Sequence, residues 1–427
     1  MASTYLTRTP ASATNRQTWT WSGWVKLSQF AGGAGSILFS AYAHAADNFK
    51  IAFSDTFKLS MRFYNNTEYQ LNLNRLFRDT SGWYHLVFAV DTTLATEADR
   101  FRIYVNGVRE TSFGQEDQPT QNLQMTINEA TATQIGRYST GDNYFNGSMS
   151  HIHFIDGTAY DASAFGETDA TTGIWKPKTN PSVTYGTNGF FLKFENSGAF
   201  GTDSSGNGNT FTVNGTMTQN IDTPSNVFAT FNPLAKSLTG TSTYSNGNTT
   251  VTTDDTATLG GMSTLGITSG KWYAEAKRIS QNSGAGDDGF RISFGVTNVT
   301  NHSTNVPATT TGNYFIIGNG TVYNGSSDLG VLGGSANISD NGVQQIALDL
   351  DNNRITWGFN GQWMNGSGAY NQSSPSNWVA ITDPDSTEAG YFFLTADGST
   401  GRGYTASWNF GNGYFGTTAV ASAGTNA

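Results

Sequence analysis

Apolar and polar residues alternate with a period of two along much of this chain. The pattern is clear in TWTWSGWVKL (18–27), KLSMRFY (58–64) and WYHLVFAVD (83–91), and it returns in KWYAEAKRI (271–279) and RITWGFNG (354–361). Successive side chains of a strand point to opposite faces, so this alternation predicts half-buried β-strands. A break in phase near Gly23 predicts a β-bulge. The best helical candidate is only DASAFGE (161–167), and the fold class is therefore predicted to be all-β.

The same hairpin pattern occurs twice, about 250 residues apart. RFRIYVNGV (100–108) follows a strand that ends at Asp91, and NRITWGFNGQ (353–362) follows one that ends near Asp351. Each second strand ends in Asn-Gly, which suits a type I′ turn because both central residues must adopt positive φ. The repetition predicts two separate β-domains.

A segment without alternation divides the chain. Residues 216–240 contain Thr-Pro and Asn-Pro steps, which favour extended backbone. We therefore predict two tandem β-sandwich (jelly-roll) domains joined by an extended linker. The predicted boundaries are residues 1–215 for the first domain, 216–240 for the linker, 241–416 for the second domain and 417–427 for a loose C-terminal tail.

Composition excludes several kinds of chemistry. The chain has no cysteine, which excludes disulfides and thiolate metal sites. Its net charge of −10 argues against nucleic acid as a partner. No run approaches 18 apolar residues, so we expect no membrane insertion. Residues 1–17 lack the apolar stretch of a signal peptide and are interpreted as a polar arm.

Two known families are similar to the two halves. TWTWSGWVKL, GWYHLVFAVD, RFRIYVNGV and FNGSMSHIHFIDG resemble a concanavalin A-like, laminin G-like domain. SGKWYAEAKRI, RISFGVT, IALDLDNNRITWGFNG and WNFGNG resemble a SPRY-like domain. Both resemblances imply two-sheet sandwiches, and both types of domain occur in proteins of many functions.

A third resemblance is more particular. HIHFIDGTAYDASAFGETDATTGIWKPK, the stretch from TYGTNGFFLKFENSG to TFTVNG, and DTPSNVFATFNP resemble structural proteins of tailed bacteriophages. This implies a virion surface protein, either a tail fibre or appendage or a capsid decoration, made in the host cytoplasm. Its partners would be other virion proteins and further copies of itself, with a trimer preferred by analogy to phage fibres. The arm, residues 1–17, would dock onto the particle.

The acidic residues do not form a convincing catalytic pair. Glycosidases use two facing carboxylates, and the candidates here are Glu167 with Asp169 and Glu116 with Asp117. Both pairs stand in loop-like contexts, so we predict that the chain is not an enzyme. A polysaccharide hydrolase remains the less favoured alternative.

The sequence contains two candidate metal sites. His151 and His153 share one face of a strand, the spacing of a two-histidine clamp, with Asp156 as a third ligand. An ordinary sheet-face pair is the favoured interpretation. The laminin G-like resemblance implies calcium, and the loop GTDSSGNGN offers Asp203 and Asn207 as oxygen ligands, although such a loop is also typical of a turn.

Loops that combine aromatic rings with Asn, Ser and Gly predict a binding function. Tyr144, Tyr323 and Trp363 lie in such loops and are the candidate ligand-binding residues. The alternative interpretation is that these rings close the ends of the cores. The predicted function is recognition of host surface glycans, and the main alternative is a structural decoration or spacer protein without a ligand.

Overall fold

The computed structural model describes residues 4–28, 36–139, 143–219, 221–235, 241–254, 259–281, 292–298, 311–318, 320–331, 341–367, 369–382, 390–397 and 403–420. The chain divides into two compact units, Met1–Val227 and Phe228–Ala427, called the first and second unit below. The described residues contain strands and two 3-10 turns, Glu97–Asp99 and Ala162–Ala164, and no α-helix. The all-β prediction is confirmed, and the helix predicted over 161–167 is replaced by the second 3-10 turn.

The strands of the first unit are short and closely spaced along the chain. In order they are β1 (Tyr5–Arg8), β2 (Thr18–Leu27), β3 (Ser36–His44), β4 (Asp47–Phe53), β5 (Lys58–Asn65), β6 (Glu68–Leu76), β7 (Tyr84–Asp91), β8 (Phe101–Val105), β9 (Val108–Arg109), β10 (Phe113–Glu116), β11 (Thr133–Ile135), β12 (Gly147–Asp156), β13 (Gly166–Thr168), β14 (Trp175–Pro177), β15 (Phe190–Leu192) and β16 (Thr212–Asn214).

The described strands of the first unit build two large antiparallel sheets. Eight strands run in the order β10-β6-β5-β4-β3-β11-β1-β16, and six run in the order β15-β12-β2-β7-β8-β9. Trp19 of β2 packs edge-on against Phe49 of β4 with ring centroids 5.2 Å apart, and Trp21 lies 6.2 Å from Phe39 of β3. These rings join the two sheets in one core, which confirms a sandwich.

The predicted bulge lies opposite Gly23, on the partner strand. Ser150 pairs with Trp24 and His153 with Ser22, so two residues of β12 face Gly23 alone. His151, one of these two, has a φ of 50°. A Cβ on Gly23 would come within 2.5 Å of the Ile152 side chain. The glycine thus makes room for the extra residue that the other strand carries.

Residues 5–8 belong to a sheet, which corrects their interpretation as part of a separate polar arm; docking of residues 1–17 onto a particle stays a prediction. Strand β1 lies between β11 and β16, and its Leu6 is 1% exposed within the core. Further along, the Thr14 amide donates to the Asn128 carbonyl. The alternating stretch TYLTR is too short for the sequence alone to distinguish a strand from a polar arm.

The second unit repeats the two-sheet plan. Its described strands are β17 (Ser242–Ser245), β18 (Thr250–Thr253), β19 (Leu259–Met262), β20 (Lys271–Gln281), β21 (Ile292–Thr297), β22 (Asn313–Ile316), β23 (Thr321–Asn324), β24 (Ser327–Val331), β25 (Val343–Asp349), β26 (Arg354–Phe359), β27 (Gln362–Met364), β28 (Tyr370–Gln372), β29 (Val379–Ala380), β30 (Phe392–Asp397), β31 (Tyr404–Asn409), β32 (Tyr414–Phe415) and β33 (Thr418–Ala419).

Trp357 and Trp408 form the centre of the second unit's core. The larger sheet runs β17-β18-β31-β20-β25-β26-β27-β28 with β29 added beside β26, and the smaller runs β19-β30-β21-β22-β23-β24 among the described residues. Trp408 of the larger sheet lies 5.7 Å from Phe294 of the smaller one, and the Trp357 indole donates to the Phe294 carbonyl at 3.0 Å. The tandem sandwich fold is therefore confirmed.

Both predicted Asn-Gly hairpins are present with matching details. Strand β7 pairs with β8, and β25 pairs with β26. Asn106 and Gly107 have φ of 48° and 85°, and Asn360 and Gly361 have 47° and 84°. Each asparagine side chain also accepts an amide hydrogen bond from the preceding strand, at 2.8 Å in both cases. The asparagine therefore fixes the turn and the neighbouring strand together.

The unit boundary falls within the predicted linker, whose described residues pack on both sides of it. Asp222 is 8% exposed in the first unit, and Phe231 is fully buried in the core of the second. In the predicted tail, Thr418–Ala419 forms a ladder with Tyr414–Phe415, so this part of the tail is ordered; residues 421–427 lie outside the described residues. The described part of the chain contains no helix with the length and apolar character needed to cross a membrane.

Candidate functional site

A row of polar side chains crosses the face of the eight-stranded sheet that points away from the core. Every second residue of these strands points into the core, as do Leu6, Ile135, Phe39, Ile51 and Phe63. Strict alternation therefore sends the intervening residues outwards. The register aligns these outward residues across six neighbouring strands as Thr7, Gln134, Ser40, Lys50, Arg62 and Gln70, which we call the polar row.

Lys50 stands at the middle of the polar row. It is half-buried, and its ammonium lies 5.4 Å from the centre of the Tyr138 ring. Within the described residues it has no carboxylate in ion-pair contact. Burial, and then the neighbouring Arg62, lower the pKa of Lys50, while Glu68 acts weakly in the opposite direction. The charged form is therefore under-compensated at this position.

Arg62, on the next strand, already has a counter-ion. Its Nε donates to the Glu68 carboxylate at 2.6 Å, and its guanidinium lies 5.4 Å from the Tyr64 ring centre. The planar guanidinium is thus fixed by a carboxylate and an aromatic face. Arg62 thus has a carboxylate partner, whereas Lys50 has none within the described residues.

Side-chain amides continue the polar surface towards the sheet edge. Gln70 donates to Asn72 at 2.7 Å, Asn72 donates to Gln115 at 3.0 Å, and Gln115 donates to Asp117 at 2.6 Å. Each amide has a second donor hydrogen and a second acceptor lone pair. This chain of amides can therefore bond hydroxyl groups without first breaking its own bonds.

On the other side of Lys50, Gln134 holds a buried acceptor that lacks a donor. Its Oε1 is shielded from solvent and accepts no hydrogen bond. A buried carbonyl oxygen left unpaired is unfavourable by about 1–3 kcal/mol.

The loop after β11 brings aromatic rings to the same face. Tyr138 packs edge-on against Tyr42 with centroids 5.8 Å apart. Tyr144, a predicted binding residue, is half-buried, with its ring 6.2 Å from that of Tyr5; the Arg137 guanidinium lies 5.5 Å from the Tyr144 ring and 4.6 Å from the Tyr5 ring. Residues 140–142 of this loop lie outside the described residues.

The other two predicted binding residues are in the second unit and on different sheets. Tyr323, on β23, is half-buried and stacks on Phe315 with centroids 5.6 Å apart. Trp363, on β27, is 3% exposed and packs edge-on against Tyr273 at 6.2 Å. The expectation of an exposed ring is wrong for Trp363, since β27 and β28 pair and place it inside the fold.

The Asp203 loop does not fit calcium. The Asp203 carboxylate accepts hydrogen bonds from the amides of Phe191, Ser205 and Asn209 and from the Ser205 hydroxyl, at 2.8–2.9 Å. The Asn207 side chain donates to the carbonyls of Gly186 and Gly189. A cation would have to displace donors that already satisfy this carboxylate. The loop is therefore organised as an Asx-type turn.

The candidate metal ligands His151 and His153 pack against Phe191 as aromatic groups. His153 is 2% exposed, stacks on Phe191 with centroids 3.9 Å apart and bonds the Tyr185 hydroxyl. Burial lowers the pKa of His153 and of His151. Asp156 binds elsewhere, accepting from Asn128 and from the Asn188 amide. The described residues contain no group of three or more histidines or acids arranged for a metal.

The acidic pairs of the hydrolase alternative have surface roles. Asp169 accepts from the amides of Thr171 and Thr172 and pairs with Lys176 at 2.8 Å. That lysine is also 3.8 Å from Glu167, which is exposed. Glu116 and Asp117 are exposed and bond glutamine side chains. These contacts are those of solvated turns and edges.

The polar row was not predicted, although the sequence contains a signal for it. Lys50 and Arg62 are the polar members of the alternating stretches FKIAFSD and KLSMRFY. The alternation that predicts the residues of the buried face also predicts the residues of the opposite face. What the sequence could not supply was the strand order that aligns these residues.

Comparisons with known proteins match the first unit to a family. Residues 2–164 match the model described as the concanavalin A-like lectin/glucanases superfamily. A comparison with curated proteins gives no match.

Solved structures show weaker likenesses. They include the SPRY domain of human HERC1 (18% identity, 42% of this chain, 98% of that chain, TM-score 0.32). Domains LG4-5 of mouse laminin alpha1 match at 10% identity over 99% of this chain and 92% of that chain, with a TM-score of 0.30. A heptameric SAP-like pentraxin from Limulus polyphemus matches at 11% identity over 37% and 72%, with a TM-score of 0.26. The region from residue 2 to residue 164 is thus similar to the concanavalin A-like lectin/glucanase superfamily, and the first unit has the two-sheet fold that this similarity implies.

Proposed function

We propose that this chain is a non-catalytic glycan-binding protein and that the first unit binds the sugar chain along the polar row. The observation that carries the proposal is the alignment of six outward polar residues, centred on Lys50, beside the aromatic loop that contains Tyr138 and Tyr144. The similarity of residues 2–164 to a superfamily that includes lectins supports it.

The row has the chemistry that a sugar chain requires. Hydroxyl groups of a sugar both donate and accept hydrogen bonds, and amides such as Gln70 and Asn72 can do the same. The apolar CH face of a sugar ring packs on aromatic faces, which Tyr138 and Tyr144 supply. The row crosses five inter-strand spacings, about 24 Å. Ser40 is 1% exposed beneath the Arg137 carbonyl, so the open part of the row runs from Lys50 through Arg62 to Gln70 and the amides beyond it, which is long enough for consecutive sugar units.

We further propose that the protein acts on the surface of a tailed bacteriophage, as a tail fibre or appendage or a capsid decoration, in homo-oligomers for which a trimer is preferred. Support comes from the resemblance of residues 151–178 and 222–233 to phage structural proteins. Other virion proteins would be its assembly partners and host surface glycans its ligands.

Replacing Tyr144 by Ala is expected to weaken glycan binding at least about fivefold, because truncating a contacting aromatic ring typically removes more than 1 kcal/mol of binding free energy. The measurement is the affinity of the purified full chain for the strongest ligand on an array of host-surface polysaccharides. Trp272→Ala serves as the control, since Trp272 is a 45% exposed ring of the second unit.

Two results would contradict the glycan proposal. One is the absence of binding to any array member by the folded wild-type chain, which would favour a spacer protein without a ligand. The other is equal loss of binding in Tyr144→Ala and Trp272→Ala, which would show that the ligand does not bind at the polar row.

The virion proposal predicts that antibodies against this chain label intact phage particles in electron micrographs at regular positions. Particles prepared from a phage without the gene serve as the control. Detection of the protein only in the lysate, with unlabelled particles, would contradict the proposal without affecting the glycan-binding result.

A further inference from the structure

We propose that the polar row binds an acidic glycan, in which a sugar carboxylate pairs with Lys50. The inference rests on the proposed glycan-binding function and specifies the substrate class of the same site. Its basis is charge complementarity between the polar row and a repeating anionic chain.

The surroundings of Lys50 lack the partner that a half-buried ammonium needs. Its cross-strand neighbours on the outward face are Ser40 and Arg62, one neutral and one cationic. The nearest aromatic contact is the Tyr138 ring, 5.4 Å away. The Ser40 hydroxyl is already used, donating to the Arg137 carbonyl at 2.8 Å. A ligand carboxylate would supply the missing counter-ion.

Three other cations of the first unit have a carboxylate partner. Lys26 pairs with Asp222 at 2.6 Å, Arg62 with Glu68 at 2.6 Å and Arg75 with Glu110 at 2.6 Å. The chain as a whole carries a net charge of −10, which repels anions in general. An unpaired cation on the outward face of such a chain therefore marks a specific position for negative charge.

The rest of the row favours a polymer over a small free anion. Gln70 is two strands from Lys50 along the row, about 10 Å away, and its half-buried amide has capacity left to bond a hydroxyl group. A ligand that satisfies both groups must carry an anion and, about two strand spacings away, a hydroxyl donor. A chain of uronic acid residues has both groups on each repeating unit, whereas phosphate or a simple carboxylate reaches only one position.

The experiment uses an array on which polygalacturonate, alginate and hyaluronate are each printed beside the neutral polysaccharide obtained by reducing their carboxylates to alcohols. The reduced partner keeps the ring hydroxyls and removes the charge. We expect the wild-type full chain to bind at least one native polysaccharide at least about tenfold more tightly than its reduced partner. This factor corresponds to one charge-assisted hydrogen bond.

Lys50→Gln is expected to lose about 10- to 100-fold in affinity for the native polysaccharide and little for the reduced one. Lys50→Arg, which keeps the charge, should retain binding to within about tenfold and shows that the site tolerates substitution. Lys193→Gln is the matched control because Lys193 is an exposed lysine that follows β15 of the other sheet. Circular dichroism of each variant verifies the fold.

The possible results separate this inference from the proposed function. Equal binding to native and reduced polysaccharides, or an unchanged affinity in Lys50→Gln, overturns the acidic-glycan inference and leaves glycan binding intact. The inference is also overturned if phosphate or acetate, at matched ionic strength, competes as effectively as an oligosaccharide of the native polysaccharide. That result would show that the site binds small anions. No binding to acidic or neutral polysaccharides overturns both.

Discussion

Replacing Lys26 by Met is expected to lower the free energy of unfolding of the first unit by about 3–5 kcal/mol. The side chains of Lys26 and Asp222 are 5% and 7% exposed, and Nζ lies 2.6 Å from the carboxylate. The Trp83 indole also donates to Asp222, at 2.8 Å. Loss of the ammonium removes the cation that neutralises this buried carboxylate. Hydrogen exchange of β2 peptides across a urea series measures the change in the first unit.

The double variant Lys26→Met with Asp222→Leu tests the reason for that loss. Because both charges are removed together, we expect most of the stability to return. Arg109→Gln breaks a pair whose side chains are 39% and 40% exposed, and should cost less than about 1 kcal/mol. A double variant as unstable as the single one would show that packing by the lysine chain, and not the unpaired carboxylate, causes the loss.

The second large effect is a fall in the stability of the first unit as the pH falls below about 6.5. Burial, with a smaller Coulombic effect of His151, lowers the pKa of His85 from 6.5 to about 3. In the unfolded chain this group takes up a proton near pH 6.5, while the folded chain does not, so protons favour unfolding in the window between the two values. At pH 5 the contribution of His85 amounts to about 2 kcal/mol of lost stability.

The hydrogen bonds of His85 explain why it resists protonation. The Trp175 indole, which can only donate, lies 3.0 Å from Nδ1, so Nδ1 must accept. The proton therefore resides on Nε2, 2.9 Å from the Ser22 hydroxyl. Protonation of Nδ1 would place its N–H against the N–H of the Trp175 indole, so that two donors would face each other. The imidazole ring also stacks on Trp24 with centroids 4.8 Å apart.

Stability measured at pH 5, 6 and 7 checks this prediction. His85→Gln, which cannot titrate, should reduce the slope between pH 5 and 6 by about 1.2 kcal/mol per pH unit, most of the full contribution of one group. Trp175→Phe removes the opposing indole donor and should reduce the slope in part. An unchanged slope in both variants would assign the pH dependence to other groups, such as His153.

Local signals in the sequence predicted the strands and turns, whereas properties that depend on strand order could not be predicted. Alternation identified most of the strands, and Asn106-Gly107 and Asn360-Gly361 identified the hairpins, because a turn of two residues determines its own geometry. The position of the bulge also followed from Gly23, but the strand that carries the extra residue depends on pairing with β12.

The candidate site was predicted in part for the same reason. Tyr144 lies on a loop whose composition was informative, and the structure places this loop beside the polar row. The row itself joins Gln134 to Ser40, which are 94 positions apart in the printed sequence. The Asp203 carboxylate suited calcium by residue type, but the amides that satisfy it belong to neighbouring backbone that residue types do not describe.

The placement of β1 between β11 and β16 has a consequence for biosynthesis. Residues 5–8 are synthesised long before their hydrogen-bonding partners, which are residues 133–135 and 212–214. The nascent chain must carry an unpaired β1 until these later segments have been translated. Such high contact order slows folding, because the entropy of closing a long loop is lost before the pairing is gained. The eight-stranded sheet is consequently completed only after β16 has been synthesised.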